Sequence, residues 1–299
     1  MPVQIAYLSV ILIWATTPLA IQWSTEGAGF AFALFSRMLI GVIIGALVLA
    51  IFRIPFPTHA HARRVYAVGG ASLFVGMALT YWASRHVHSG LISVMFGLSP
   101  LAAAVLAALW LGERSLTKKR LTGAVLGVGG LAVIFLQGGI SGGWATVAGL
   151  LALVVAMICY TAGMVWIKRI GNDSPPLATT VGTVGAALPG FALVWWFAEG
   201  QVPMEVAPRA LSAIVYLGVF GSVIGFAAYY HCIRHLEASR VALITLITPV
   251  LALLLGQALN GEHTTPRLWF GVMLILTGLV LHQWETFRPW FRSRRRQPM

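Results

Sequence analysis

The sequence predicts an all-α membrane protein of ten transmembrane helices arranged as two inverted five-helix repeats, and three observations carry that prediction. Of 299 residues, 59% are apolar and 9% are charged, too few charges to cover a soluble domain of this length. The apolar residues fall into about ten runs near the roughly 20 residues that a helix needs to cross a hydrocarbon core about 30 Å thick. The runs also repeat. At an offset of 149 residues, Gly76, Ala78, Tyr81, Arg85, His86, Pro100, Gly112 and Glu113 recur as Gly225, Ala227, Tyr230, Arg234, His235, Pro249, Gly261 and Glu262.

The expected spans are 3–23, 29–52, 66–84, 89–111, 119–137, 145–167, 177–198, 210–231, 240–260 and 267–285. The first opens Met1-Pro2-Val3-Gln4, with no basic stretch and no small-residue cleavage site behind it, which marks a retained helix and not a signal peptide. Arg37 lies inside the second, Pro100 near the middle of the fourth and Pro249 near the middle of the ninth. After one residue of slippage, Gly123 and Gly130 in the fifth align with Gly271 and Gly278 in the tenth. Residues 1–140 form the first repeat, 141–287 the second and 288–299 a basic tail. Five spans per repeat is an odd number, so the second repeat enters the membrane inverted. Inverted repeats are the architecture of secondary transporters, with the substrate site near the midplane where the halves meet.

A net charge of +12 and a pI near 10.7 would ordinarily point to nucleic acid. The positions of the charges explain them differently. Sixteen of the twenty basic residues occupy alternate loops and the tail: Arg53, Arg63, Arg64; Arg114, Lys118, Lys119, Arg120; Lys168, Arg169; Arg234, Arg240; Arg288, Arg292, Arg294, Arg295, Arg296. The opposite side has Arg85, Arg209 and Arg267. The excess on one face is an orientation signal that puts both termini in the cytoplasm, and no nucleic acid partner is required. Cys159 and Cys232 lie in apolar stretches, which leaves no disulfide framework or thiolate metal site.

The second half reads Glu237-Ala-Ser-Arg-Val-Ala-Leu-Ile through Thr248-Pro249-Val250 to Gly261-Glu262, and the first reads Ser89-Gly-Leu-Ile through Ser99-Pro100-Leu101 to Gly112-Glu113. With Trp14-Ala15 in the first span and Phe35-Ser36-Arg37 in the second, these residues resemble the EamA family of the drug/metabolite transporter superfamily over nearly the whole chain. The resemblance implies ten helices around a central cavity, alternating access, export of small metabolites such as amino acids, and the bacterial cytoplasmic (inner) membrane as location. It is specific for the fold and not for the substrate. The chain departs from the family at Tyr160, where a tryptophan is common.

A cavity for an amphipathic solute needs aromatic walls and a few polar groups. Trp14, Thr17, Tyr81, Ser99, Tyr160, Tyr230 and Thr248 are the substrate-binding candidates on helices that the resemblance places around the cavity. Trp23, Trp144, Trp166, Trp195, Trp196, Trp269 and Trp284 are expected in interfacial belts. Arg37 joins the candidates, because a charge at a helix centre costs about 2.5 to 3.5 kcal/mol on insertion scales and something must offset it. It lies about eight residues inside the extracytoplasmic end, so snorkelling and capping of carbonyls compete with contact to a substrate carboxylate. Pro100 and Pro249 each remove a donor and free a carbonyl four residues earlier, Phe96 or Thr245, which makes them hinge candidates.

All eight acidic residues fall in loops or span ends, so the sequence offers no buried carboxylate as a proton relay. The Gly112-Glu113 and Gly261-Glu262 pairs read as structural helix ends, and Gly41/Gly45, Gly123/Gly127 and Gly221/Gly225 as close-packing pairs. His231 and His282 lie near span ends, where packing is the commoner role. Efflux of drugs or lipid-like solutes, or a flippase on the same fold, stays open beside metabolite export. A membrane-embedded enzyme has only His59-Ala-His61 to recommend it, which a solvated basic loop explains better. No cofactor or metal is called for. The expected partners are the lipid bilayer and a small-molecule substrate, as a monomer or a homodimer.

Overall fold

The computed structural model describes residues 2–112, 117–236 and 238–284, and among them there are helices and no strands. In chain order these are α1 (Val3–Thr25), α2 (Phe30–Ile51), α3 (Ala60–Ala83), α4 (Ser89–Gly97), α5 (Ser99–Leu111), α6 (Lys118–Ile170), α7 (Pro176–Ala198), α8 (Pro208–Tyr216), a π-helical segment π1 (Leu217–Ile224), α9 (Gly225–His235), α10 (Ala238–Asn260) and α11 (Pro266–His282). Among the described residues nine stretches are long and apolar enough to cross a membrane. The tenth expected span corresponds to α11, a shorter apolar helix. Leu8, Leu12, Leu47, Leu109 and Phe197 are exposed, the normal state of a helix surface whose solvent is lipid. Trp144, Trp166 and Trp196 are exposed as the belt reading expects.

Several spans differ from the expected plain helices. The fourth is two helices, α4 and α5, separated at Leu98. Its counterpart α10 runs unbroken through Pro249, so the repeat-related prolines do different things to their helices. The fifth and sixth spans run on in one element, broken by Gly143 at φ 64° and ψ −160°, a backbone conformation only glycine adopts without strain. The eighth contains the wide turn of π1.

Helix ends in a membrane need partners for their free N–H groups. The His59 side chain caps α3, Thr117 caps α6 and Thr265 caps α11, the last with Pro266 in the first turn. Two other helices borrow an acid from far along the chain. Glu199 accepts from the amides of Ala31 (3.1 Å) and Phe32 (2.9 Å) at the start of α2, and Glu262 accepts from Ser89 (3.0 Å) at the start of α4.

In the bundle, α3 lies between α6 and α7, α2 packs on α7 and π1, and α1 packs on α8, α9 and α10. One core gathers Met95, Leu153, Leu253 and Ile275 from α4, α6, α10 and α11; a second gathers Leu34, Tyr81, Phe191 and Leu217 from α2, α3, α7 and π1. The crossing of α6 and α11 is made by backbone. A Cβ on Gly123 would strike the Gly278 carbonyl, and one on Gly130 would strike that of Gly271. Ascending residues on α6 thus meet descending ones on α11, so the two helices are antiparallel. The repeat equivalence of Gly123 with Gly271 and Gly130 with Gly278 turns each of these contacts into the other. The remaining glycine pairs also serve close packing: Gly41 lies against Ser222, Gly45 against Val181 and Gly127 against Leu101.

Candidate functional site

α2 carries Arg37 into the second core, where it is 4% exposed. Its side chain turns into the bundle and not toward a surface. Its Nη1 donates to the Tyr81 hydroxyl at 3.2 Å, and its guanidinium carbon lies 5.9 Å from the centroid of that ring. Nε has no hydrogen-bond partner, and no ion pair to Arg37 exists among the described residues. A single phenol hydroxyl is a modest return for a desolvated cation.

Arg37 fits because π1 is built around it. A Cβ on Gly221 would lie 3.3 Å from Nη2 of Arg37 and 3.9 Å from Oγ1 of Thr17, and one on Gly218 would lie 3.2 Å from the Arg37 carbonyl. The wide turn is supported by Ser222, whose hydroxyl donates to the carbonyl of Leu217 five residues back at 3.2 Å. Such π turns inside helices frequently mark functional positions. Thr17, Arg37, Tyr81 and Gly221 therefore converge from α1, α2, α3 and π1.

Trp14 borders the same place. Its ring is 4.7 Å from that of Tyr229, and its Nε1 would be 3.6 Å from a Cβ on Gly225. The other candidates gather elsewhere. Ser99 donates to the Phe96 carbonyl, the one Pro100 leaves without a donor, so the serine repairs the break. Tyr160 meets Phe96 edge-on at 6.2 Å. Thr248 is buried beside Pro249, whose Cγ would be 3.3 Å from a Cβ on Gly97. The structure thus joins Trp14, Thr17, Arg37 and Tyr81 in one group and leaves Ser99 and Thr248 in a second on α5 and α10, with Tyr160 between them, meeting Phe96 and packing on the core that holds Tyr81. The side chain of Tyr230 lies outside the described residues, as do Glu113 and the tail 288–299.

Above Arg37, at the membrane boundary where α1 and α10 end, is a polar network the sequence reading missed. Asn260 Oδ1 accepts from Trp23 Nε1 at 2.9 Å and from Arg209 at 3.4 Å; its Nδ2 donates to Gln22 Oε1 at 3.1 Å and Glu262 Oε1 at 3.2 Å. Both lone pairs and both N–H groups of the amide are used. Arg209 also lies 4.1 Å over the Trp23 ring and 3.7 Å from Glu26. Trp23, half-buried, thus has polar partners at the helix ends. Trp195, also half-buried, stacks on Phe35 at 5.4 Å and donates to the Gln201 carbonyl at 3.2 Å, and Trp269 donates to Thr264 at 3.2 Å.

Glu262 corrects the expectation of no buried carboxylate, being 7% exposed. Its Oε1 holds Ser89 and Asn260, while Oε2 lies 3.8 Å from His88 Nδ1 with no hydrogen bond. The Asn260-Gly261-Glu262 run was the available signal, and its position at a span end hid its burial. Among the described residues no group of three His, Cys, Asp or Glu could hold a metal ion. His59 caps α3 and His61 pairs with the Gly171 carbonyl at 3.2 Å, structural duties for both.

An all-helical bundle with nine stretches long and apolar enough to cross a membrane among the described residues has the build of a multi-pass membrane protein. The EamA-like transporter family matches residues 1–136 and again residues 147–282, and the chain belongs to that family. It is 26% identical over 284 residues to the "Uncharacterized transporter YvbV" of Bacillus subtilis, covering 91% of this chain and 88% of the relative. It is 26% identical to the "Probable terminal-alkyne amino-acid exporter" of Streptantibioticus cattleyicolor, covering 92% and 91%. It is 25% identical to the "S-adenosylmethionine/S-adenosylhomocysteine transporter" of Chlamydia trachomatis, covering 92% and 87%. A solved crystal structure with 21% identity shares the fold at a TM-score of 0.63, over 96% of this chain and 98% of that one.

Proposed function

We propose that the protein exports small metabolites, amino acids or related carboxylate-bearing compounds, by alternating access of two inverted five-helix halves. The halves are residues 1–140 and 141–287, giving ten spans, and the basic tail and both termini face the cytoplasm of a bacterial inner membrane. The double family match and the exchange-symmetric glycine contacts of α6 and α11 support the inverted repeat. The single observation that carries the substrate class is Arg37: a buried guanidinium with an unpartnered Nε and, among the described residues, no carboxylate paired with it. A substrate carboxylate supplies the charge and the acceptor that the protein withholds. Thr17 and Tyr81 complete a polar corner, with Trp14 as an apolar wall. The relatives named for an amino acid and for S-adenosylmethionine, both carboxylates, accord with this reading.

The test is counterflow of a radiolabelled amino acid panel in proteoliposomes, with and without a pH gradient. Arg37→Gln should lower uptake more than tenfold at normal abundance, and Arg37→Lys should weaken apparent affinity while retaining turnover. Equal kinetics in both variants and the parent would remove Arg37 from the site. Absence of counterflow with every amino acid would move the assignment to drug or lipid-like solutes.

A further inference from the structure

A groove on the outside of the bundle shares no lining residue with the site above. It measures about 380 Å³, within the range of small-molecule clefts, and opens between α2, α3 and α7, lined by Val42, Phe56, Arg63, Tyr66, Gly185 and Ala186. The groove exists because α7 places glycine there: no atom lies within 4 Å of a Cβ on Gly185, and a Cβ on Gly182 would press into the Tyr66 ring. Tyr66 is fixed in turn, donating to the Pro57 carbonyl at 3.0 Å and stacked on Phe56 at 5.4 Å. From the start of α7 at Pro176 to Ala186 is about 15 Å at 1.5 Å per residue, half of a hydrocarbon core about 30 Å thick. The lining on α7 runs from Val181 to Ala186, about 7.5 Å, so the groove ends near mid-depth.

Its mouth is basic. Arg63 lines it, and Arg64 is exposed beside it. The last turn of α6, with Lys168 and Arg169, reaches the same membrane face, because Ile167 and Ile170 pack on Ala62, Val65 and Tyr66. Among the described residues the acid near this face is Asp173, in the loop that follows α6. An apolar groove that ends near mid-depth under a cationic rim complements one kind of molecule.

We propose that this groove binds an anionic phospholipid, with one acyl chain lying along α7 between α2 and α3 and the headgroup phosphate held at Arg63. A zwitterionic lipid fills the same channel but brings its ammonium to the basic rim. The test is native mass spectrometry of the full chain in detergent, titrated with phosphatidylglycerol or phosphatidylcholine of identical acyl chains. The parent should retain one phosphatidylglycerol with at least fivefold preference. Arg63→Gln should bring that preference close to one, Gly185→Leu should lower retention of both lipids about tenfold, and Arg267→Gln, on the other face, should change neither. Equal retention of the two lipids by the parent, unchanged retention in both groove variants, or an equal loss in Arg267→Gln would each overturn the proposal. Arg63 is exposed, so its variant decides the matter even where Gly185→Leu lowers the melting temperature.

Discussion

Asn260→Ala removes the hub of the network at the membrane boundary. The side chain makes four hydrogen bonds, three of them between 2.9 and 3.2 Å, to α1, the Glu262 loop and the start of α8. At about 0.5 to 1.5 kcal/mol each, with water at the boundary recovering part of the loss, the contacts tying the ends of α1, α8 and α10 together weaken by about 2 to 3 kcal/mol. If the closed and open forms interconvert, that shifts their ratio by about 30- to 150-fold. The assay is the labelling rate of Thr17→Cys, in a Cys159→Ser background, by an impermeant maleimide applied to the outside of spheroplasts. The rate should rise more than tenfold in Asn260→Ala and by a smaller factor in Trp23→Phe, which removes a single donor. Identical rates in Asn260→Ala and its parent, at equal abundance, would refute the idea that this network closes the outer end.

Three further outcomes are expected. Gly130→Leu forces a side chain into the Gly271 carbonyl and should cost about 3 kcal/mol, the upper end of overpacking, read as a lower melting temperature in detergent. Pro249→Ala removes the ring that packs against Gly97 and should slow counterflow while expression stays normal; unchanged transport would end the hinge role. Glu199→Ala leaves two amides of α2 without their acceptor and should destabilise by about 1 to 2 kcal/mol in the same melting assay, with Glu199→Gln recovering part of the loss.

Long apolar runs and the 149-residue repeat were legible because both are properties of composition along one dimension. The break at Leu98 was half legible: Pro100 announced a lost hydrogen bond, but nothing local says that its partner Pro249 is accommodated without a break. Neighbours decide that, with Gly97 opening space for the Pro249 ring. Arg37 could be singled out from its cost in lipid, whereas its pairing with Tyr81 and the π turn that accommodates it depend on helix rotation, which an apolar pattern without a polar face does not encode. Glu199 and Glu262 read as ordinary loop acids, because their use is set by helices more than 160 residues away in the chain.

Those two acids impose an order on biogenesis. A polytopic chain is threaded into the bilayer from its N-terminus, so α2 and α4 are in place before residues 199 and 262 have been synthesised. Until then their first amides face the membrane boundary with water as the only partner. The early helices wait in a provisional state, and the later part of the chain completes them on arrival. A chain released short of residue 262 would expose an unfinished α4, giving membrane quality control a structural mark by which to tell a truncated copy from a complete one.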